Sequence, residues 1–251
     1  MVLLVDIGNS NIVFGFSDKK TISNTFRLKT FTDKTSDEYY LLIRTMLNAY
    51  EIEDVMISSV VPIVTSALKK VFQSYYGIDA KIIGPGIKTG VSLKVDDPKT
   101  VGSDMICDCA GALPFYNEVI IVDLGTATKY IYFKNQTFLG CSIAPGVSIS
   151  LKSLVSSAAL LPNVELVTPK KAIGTNTISC IQSGVVFGAA AQVDGMIDRI
   201  IEEIHNPDIP VIATGGLSRL IVPLCKHKIY QKDNLTLDGL LEIYKKNMAA
   251  C

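Results

Sequence analysis

The chain has 251 residues, with 24 lysines and arginines against 24 aspartates and glutamates, and this zero formal charge excludes the basic footprint that nucleic-acid binding requires. A content of 48% hydrophobic and 19% charged residues excludes a disordered segment and can fill one large core or two of roughly 100 to 130 residues. The opening MVLLVDIGNS carries Asp6 inside its apolar run and has no positive leader, so it does not read as a signal peptide and the expected compartment is the cytoplasm.

Val2 to Val5 reads as a strand, followed by the polar turn Asp6-Ile7-Gly8-Asn9-Ser10-Asn11 and a second apolar run, Ile12 to Phe16. Thr35-Ser36-Asp37-Glu38 is a capping-box start. Tyr39, Leu42, Ile43, Met46, Leu47 and Tyr50 then recur at helical spacing and predict a core face. Asp54 to Val61 is a strand, Pro62 opens a helix that runs to Tyr76, and Ala80 to Ile83 is a short strand. Gly84 to Thr89 (GPGIKT) pairs Lys with Thr but lacks a second Gly before the Lys, which makes it a loop and not a phosphate loop. Asp96-Asp97-Pro98 leads to a helix beginning near Gly102 to Met105, so Asp104 falls in a helical first turn.

The opening unit then returns. Val119 to Val122, Asp123-Leu124-Gly125-Thr126-Ala127-Thr128 and Tyr130 to Phe133 repeat the order strand, Asp-x-Gly turn, strand, which predicts two equivalent halves, 1–115 and 116–251. Thr177 to about His205 is a long helix. Its uncharged stretch from Ala172 to Val193 is too rich in Thr, Asn, Ser and Gln for a membrane span. Gly184 and Gly188 should allow close backbone packing, and apolar residues on more than one face predict burial, in part at a subunit interface. Ile209 to Ala213 is a strand, Thr214-Gly215-Gly216 a turn, and Leu217 begins a helix. Strands and helices alternate, so the class is α/β.

Six cysteines, at 107, 109, 141, 180, 225 and 251, form no CxxC pair, and the histidines are only His205 and His227. A zinc site and a Ser/His/Asp apparatus both lack material, and the thiols are expected to be small buried hydrophobes. The two Asp-x-Gly turns carry the chemistry. Glycine lets backbone N–H groups approach phosphate oxygens while the carboxylate faces a cation, and two such turns could clamp a polyphosphate. Asp104 can accept a proton from a substrate hydroxyl.

DIGNSN at 6–11, SSVVP at 58–62, DDPKTVGSD at 96–104, DLGTAT at 123–128, NT at 176–177, SGVVFG at 183–188 and TGGL at 214–217 together resemble the type III pantothenate kinase family. The resemblance implies an ASKHA, actin-like fold: two ribonuclease-H-like halves, each a mixed sheet flanked by helices. It implies ATP-dependent phosphorylation of the pantothenate hydroxyl, the first step of coenzyme A synthesis. It assigns Asp6, Ile7, Gly8, Asn9, Ser10, Asn11, Ile12 and Val13 to the first phosphate-binding segment, with Asp6 near Mg²⁺ and Ser10 where Thr is usual. It makes Asp104 the proton acceptor, Asp123 the ligand of K⁺ or NH₄⁺, and Thr126 an ATP contact. Val95, Gly102, Ser103, Met105 and Thr177 fall in the substrate segment, with Val95 where the family has Tyr and Met105 where it has Arg. A homodimer, with Thr177 near the partner's pocket, is also implied. Two alternatives stay open: a divergent kinase of another pantothenate-like hydroxyl substrate, and a non-catalytic regulatory protein on the same fold.

Overall fold

A computed structural model describes residues 1–248. The strands are β1 Val2–Ile7, β2 Asn11–Ser17, β3 Ile22–Lys29, β4 Asp54–Ser59, β5 Lys81–Ile82, β6 Ser92–Leu93, β7 Glu118–Leu124, β8 Ala127–Lys134, β9 Thr137–Pro145, β10 Val211–Thr214 and β11 Ile229–Gln231. The helices are α1 Ser36–Leu47, α2 Pro62–Tyr76, α3 Ser103–Ala112, α4 Val147–Ser157, α5 Thr177–Ile204, α6 Ser218–Ile221 and α7 Leu235–Met248. The chain divides into two compact units: the first holds Met1–Tyr116, Gln136–Phe138 and the C-terminal segment from Leu235, the second Asn117–Asn135 and Leu139–Asn234.

In the first unit the strand order is β3-β2-β1-β4-β5, antiparallel between β1 and β2 and between β2 and β3, parallel between β1 and β4 and between β4 and β5. Central β1 is covered on both faces, which is why its sequence is continuously apolar and not alternating. Leu3, Val5 and Ile7 pack in one cluster with Ile43 and Leu47 of α1 and Val64 and Leu68 of α2. Val2 and Leu4 pack in another with Cys107 and Ala110 of α3 and Leu240 and Tyr244 of α7. A Cβ on Gly239 would collide with the backbone of Cys107 and Gly111, so α3 and α7 meet backbone to backbone.

The second unit repeats the plan. Its strands lie in the order β11-β10-β7-β8-β9, with β7 antiparallel to β8 and parallel to β10, and β10 parallel to β11. Relative to the first strand of each half this is the same arrangement twice, two ribonuclease-H-like sheets. Ile120, Val122 and Leu124 of β7 pack with Val186, Ala190, Val193 and Ile197 of α5.

Several expectations are corrected. The halves were expected to be 1–115 and 116–251. The first boundary falls at Tyr116–Asn117, but α7 belongs to the first unit because its apolar face is used up by β1 and α3. Leu42 is 45% exposed, since the core stripe of α1 runs through Tyr39, Ile43 and Leu47, four residues apart, and Leu42 lies on its flank. The helix begun near Leu217 is one short piece, Ser218–Ile221, followed by a 3₁₀ turn at Val222–Leu224 that contains Pro223. Long α5 is of a length and hydropathy that could also cross a membrane, yet only 39% of its most apolar stretch is buried. Gly184 and Gly188 face open space instead of a close neighbour. Cys107 and Cys109 are buried as expected and Cys225 partly so, whereas Cys141 and Cys180 are exposed. Cys251 lies outside the described residues.

Candidate active site

Within the first unit, Asp6 stands near the end of β1, in register with Val13 on β2 and with Ser58 on β4. The turn that follows is closed by the Gly8 N–H, which donates to the Asn11 carbonyl at 3.0 Å. It is also stapled from outside: Thr30 donates its N–H to the Ser10 carbonyl at 3.0 Å and its hydroxyl to the Gly8 carbonyl at 2.6 Å. Asn9, Ser10 and Asn11 are left exposed on this rigid support, while Ile12 is buried and Val13 half-buried. Thr30 was not foreseen, because it lies at the far end of β3 and meets the turn only once the meander is formed.

The second group is the start of α3. The Ser103 hydroxyl donates to the Ser59 carbonyl at 2.9 Å, accepts from the Ser59 N–H at 2.9 Å and lies 3.1 Å from the Ser58 hydroxyl. The Ser59 hydroxyl in turn lies 2.6 Å from that of Thr65 and accepts from the Val61 N–H at 3.0 Å. These bonds fix the helix start on the end of β4. Beside them the Asp104 carboxylate accepts from the Met105 N–H at 2.9 Å and folds over Gly102, where a Cβ would collide with it. The constraint at Gly102 is one of space alone, since its φ of −62° suits any residue. Burial pushes the Cys107 thiol well above its ordinary range, reinforced by the charges of Asp6, Asp108 and Asp104 and opposed by a hydrogen bond with Ser58. Met105 is 7% exposed and Val95 half-buried, so Met105 serves the core of α3 instead of presenting a polar face.

In the second unit the repeated turn is one residue shorter. Leu124 pairs with Thr128, where Ile7 pairs with Ile12 in the first turn, and the Gly125 N–H donates to the Ala127 carbonyl at 3.2 Å. Two glycines from elsewhere close on it. A Cβ on Gly146, at the start of α4, would strike the Gly125 and Thr126 carbonyls, and one on Gly215 would strike the Asp123 carboxylate and the Leu124 backbone. Gly215 also has φ +93°, a conformation that disfavours a side chain. Thr126 thus sits in a cradle of backbone with no intruding Cβ, and Gly146 is a part of it that sequence reading missed. Thr177 lies apart from this description, exposed in the first turn of α5 behind the capping residue Asn176.

Asp123 has a partner that was also missed. Lys129 is directly across the β7–β8 ladder, and its Nζ lies 2.7 Å from Asp123 Oδ2, with the two side chains only 14% and 13% exposed. The expected K⁺ or NH₄⁺ on Asp123 does not fit this arrangement, because the carboxylate oxygen already carries a unit positive charge. A divalent ion beside Asp6 does fit: Mg²⁺ keeps several waters and needs one or two carboxylates plus phosphate oxygens. Among the described residues no three His, Cys, Asp or Glu side chains form a metal cluster.

A profile of the family described as type III pantothenate kinase matches residues 2–199. The type III pantothenate kinase of Acholeplasma laidlawii (strain PG-8A) is 45% identical over 248 residues, covering 99% of this chain and 100% of the relative. That of Exiguobacterium sibiricum is 43% identical over 254 residues, covering 98% and 100%. Among solved structures, the (R)-2-hydroxyglutaryl-CoA dehydratase component A of Acidaminococcus fermentans superposes with a TM-score of 0.58 at 16% identity, over 100% of this chain and 99% of that one, a likeness of fold alone. With full-length identity at this level and both Asp-x-Gly turns built on matching sheets, the chain belongs to the type III pantothenate kinase family.

Proposed function

We propose that this chain transfers the γ-phosphoryl group of ATP to the pantothenate hydroxyl, giving 4'-phosphopantothenate, the first step of coenzyme A synthesis, and that it does so as a cytoplasmic homodimer. The observation that carries the reading is the start of α3, where a hydroxyl network anchors Ser103 to β4 and holds Asp104 beside it, half-buried and oriented. A phosphoryl transfer asks the protein for positioning, for charge neutralisation and for one acceptor of the hydroxyl proton. Asp104 accepts that proton. The backbone of Gly8 to Asn11 and the cradle around Thr126 hold phosphate oxygens, Asp6 holds the water shell of a divalent ion, Gly102, Ser103, Val95 and Met105 border the acceptor, and Thr177 contacts the acceptor held by the partner subunit. Mg²⁺, when bound with ATP, supplies charge neutralisation on the phosphates.

The test is ADP release coupled to pantothenate. Asp104→Asn keeps the shape and removes the proton acceptor, so its turnover should fall by about 10² to 10⁴ while ATP affinity stays within a few-fold. A folded Asp104→Asn variant with wild-type turnover would remove Asp104 from this role.

A further inference from the structure

The Asp123–Lys129 pair departs from the K⁺ or NH₄⁺ ligand that the family resemblance implies for Asp123. Its geometry is set by the hairpin: the short turn at Gly125–Thr126 puts residues 123 and 129 opposite one another on adjacent antiparallel strands, with their side chains on the same face. The ammonium then reaches Asp123 Oδ2 at 2.7 Å. The other oxygen, Oδ1, points to the glycine side of the cradle, where a Cβ on Gly125 would stand 3.2 Å from it and one on Gly215 2.7 Å. Lys129 Nζ is therefore a positive charge bonded to the carboxylate that borders the Thr126 turn, and at 14% exposure it is poorly screened by water.

A lysine head group is an alkylated ammonium, with the charge of K⁺ or NH₄⁺ and a comparable size. A second monovalent cation on the same carboxylate would face that charge at close range in a medium of low polarisability, where like charges repel strongly. Tethering has a further effect, since a cation fixed to β8 needs no binding step of its own. We propose that Lys129 is the built-in monovalent cation of this enzyme, supplying at the second glycine turn the single charge that free K⁺ or NH₄⁺ would otherwise bring, so that nucleotide binding and turnover do not depend on either ion. This rests on the ATP-dependent reading above.

The experiment measures ATP affinity by calorimetry and pantothenate-dependent ADP release in tetramethylammonium, Na⁺, K⁺ and NH₄⁺ chloride at equal ionic strength, for the wild type and for Lys129→Thr. The wild type should vary by less than about twofold across the four salts, while Lys129→Thr in tetramethylammonium should lose about tenfold or more in ATP affinity and regain most of it in K⁺ or NH₄⁺. Stimulation of the wild type by K⁺ of about twofold or more over tetramethylammonium, or a Lys129→Thr variant with undiminished affinity in tetramethylammonium, would overturn the proposal. Should the variant not fold, the wild-type salt series alone decides. Calorimetry reads Lys129 whatever the phosphoryl acceptor is, so an enzyme that binds ATP but releases no ADP with pantothenate would count against the kinase reading and not against Lys129.

Discussion

Ser103 shows how a single hydroxyl can separate positioning from substrate contact. The family resemblance puts it in the substrate segment, yet its oxygen already serves the N–H and carbonyl of Ser59. Ser103→Ala should leave those two half-buried backbone groups short of a partner, a cost of about 1 to 3 kcal/mol in stability. It should also let the first turn of α3 drift, and misplacement by a fraction of an ångström lowers turnover by about tenfold without weakening pantothenate binding in proportion. Denaturant midpoints together with a separate kcat and KM for pantothenate check this. A variant that loses stability but keeps kcat would make Ser103 purely structural, and Ser103→Thr, which keeps the hydroxyl, should restore part of kcat. The place of Asp104 in a helical first turn was legible from the Gly-Ser before it, and α3 begins at Ser103; its role as proton acceptor comes from the resemblance and belongs to the proposal above. Lys129 and Thr30 were not legible. Each becomes part of the site only through a strand register, Asp123 to Lys129 in one case and the end of β3 against the Gly8 turn in the other. For Lys129 the signal was present, since a three-residue turn fixes which residues face each other, but it requires the turn length to be known.

At the level of elements, strands β1, β4 and β7 and helices α1, α2 and α5 could be read from apolar runs, caps and period. Strands β3 and β9 could not, because most of their residues are exposed or half-buried and carry no apolar alternation. Helix α7 was missed as well, although its first three turns pack against β1 and α3 in the first unit. The glycines show why pattern alone misleads: Gly184 and Gly188, four apart on α5, face open space, whereas Gly111 and Gly239 mark the place where two helix backbones touch. Opposite effects follow for the same substitution. In Gly195→Ala, on α5 with nothing near the added methyl, helix propensity should dominate and raise stability by up to about 1 kcal/mol. In Gly239→Ala the same propensity gain is outweighed, since the methyl meets the Cys107 carbonyl and α3 must move, a cost of about 1 to 3 kcal/mol or more. Urea unfolding of the two variants beside the wild type tests the pair, and a stabilised Gly239→Ala would show that α3 and α7 do not pack as described. Because α3 also carries Asp104, the destabilised variant should lose turnover too.

The duplication was the most legible feature of the whole molecule, since it rests on two motifs in matching strand context, and five strands follow the same order in both sheets, β6 being added at the β9 edge of the second. What sequence could not tell was how much of α5 the folded chain would cover. The helix leaves a groove of about 610 Å³ against α4, lined by Pro145, Val147, Leu154, Ile181, Gly184 and Gly188. Nearby Ile149 and Ile178 are 44% and 49% exposed. Apolar surface of this kind, on a helix whose sequence predicts burial, is the physical ground for proposing a homodimer, because a two-fold contact would cover both copies of the face with one another. Light scattering at micromolar concentration should then report twice 27.2 kDa. Gly188→Glu places a carboxylate where the methylene-free surface is open, so it should fold normally as a single chain. Burying that charge against an apolar partner face without a counter-ion costs several kcal/mol, which weakens association by on the order of 10² or more. The variant should therefore scatter as 27.2 kDa with an unchanged circular dichroism spectrum. A wild-type monomer at the same concentration would refute the dimer, and a Gly188→Glu dimer would move its contact to another face.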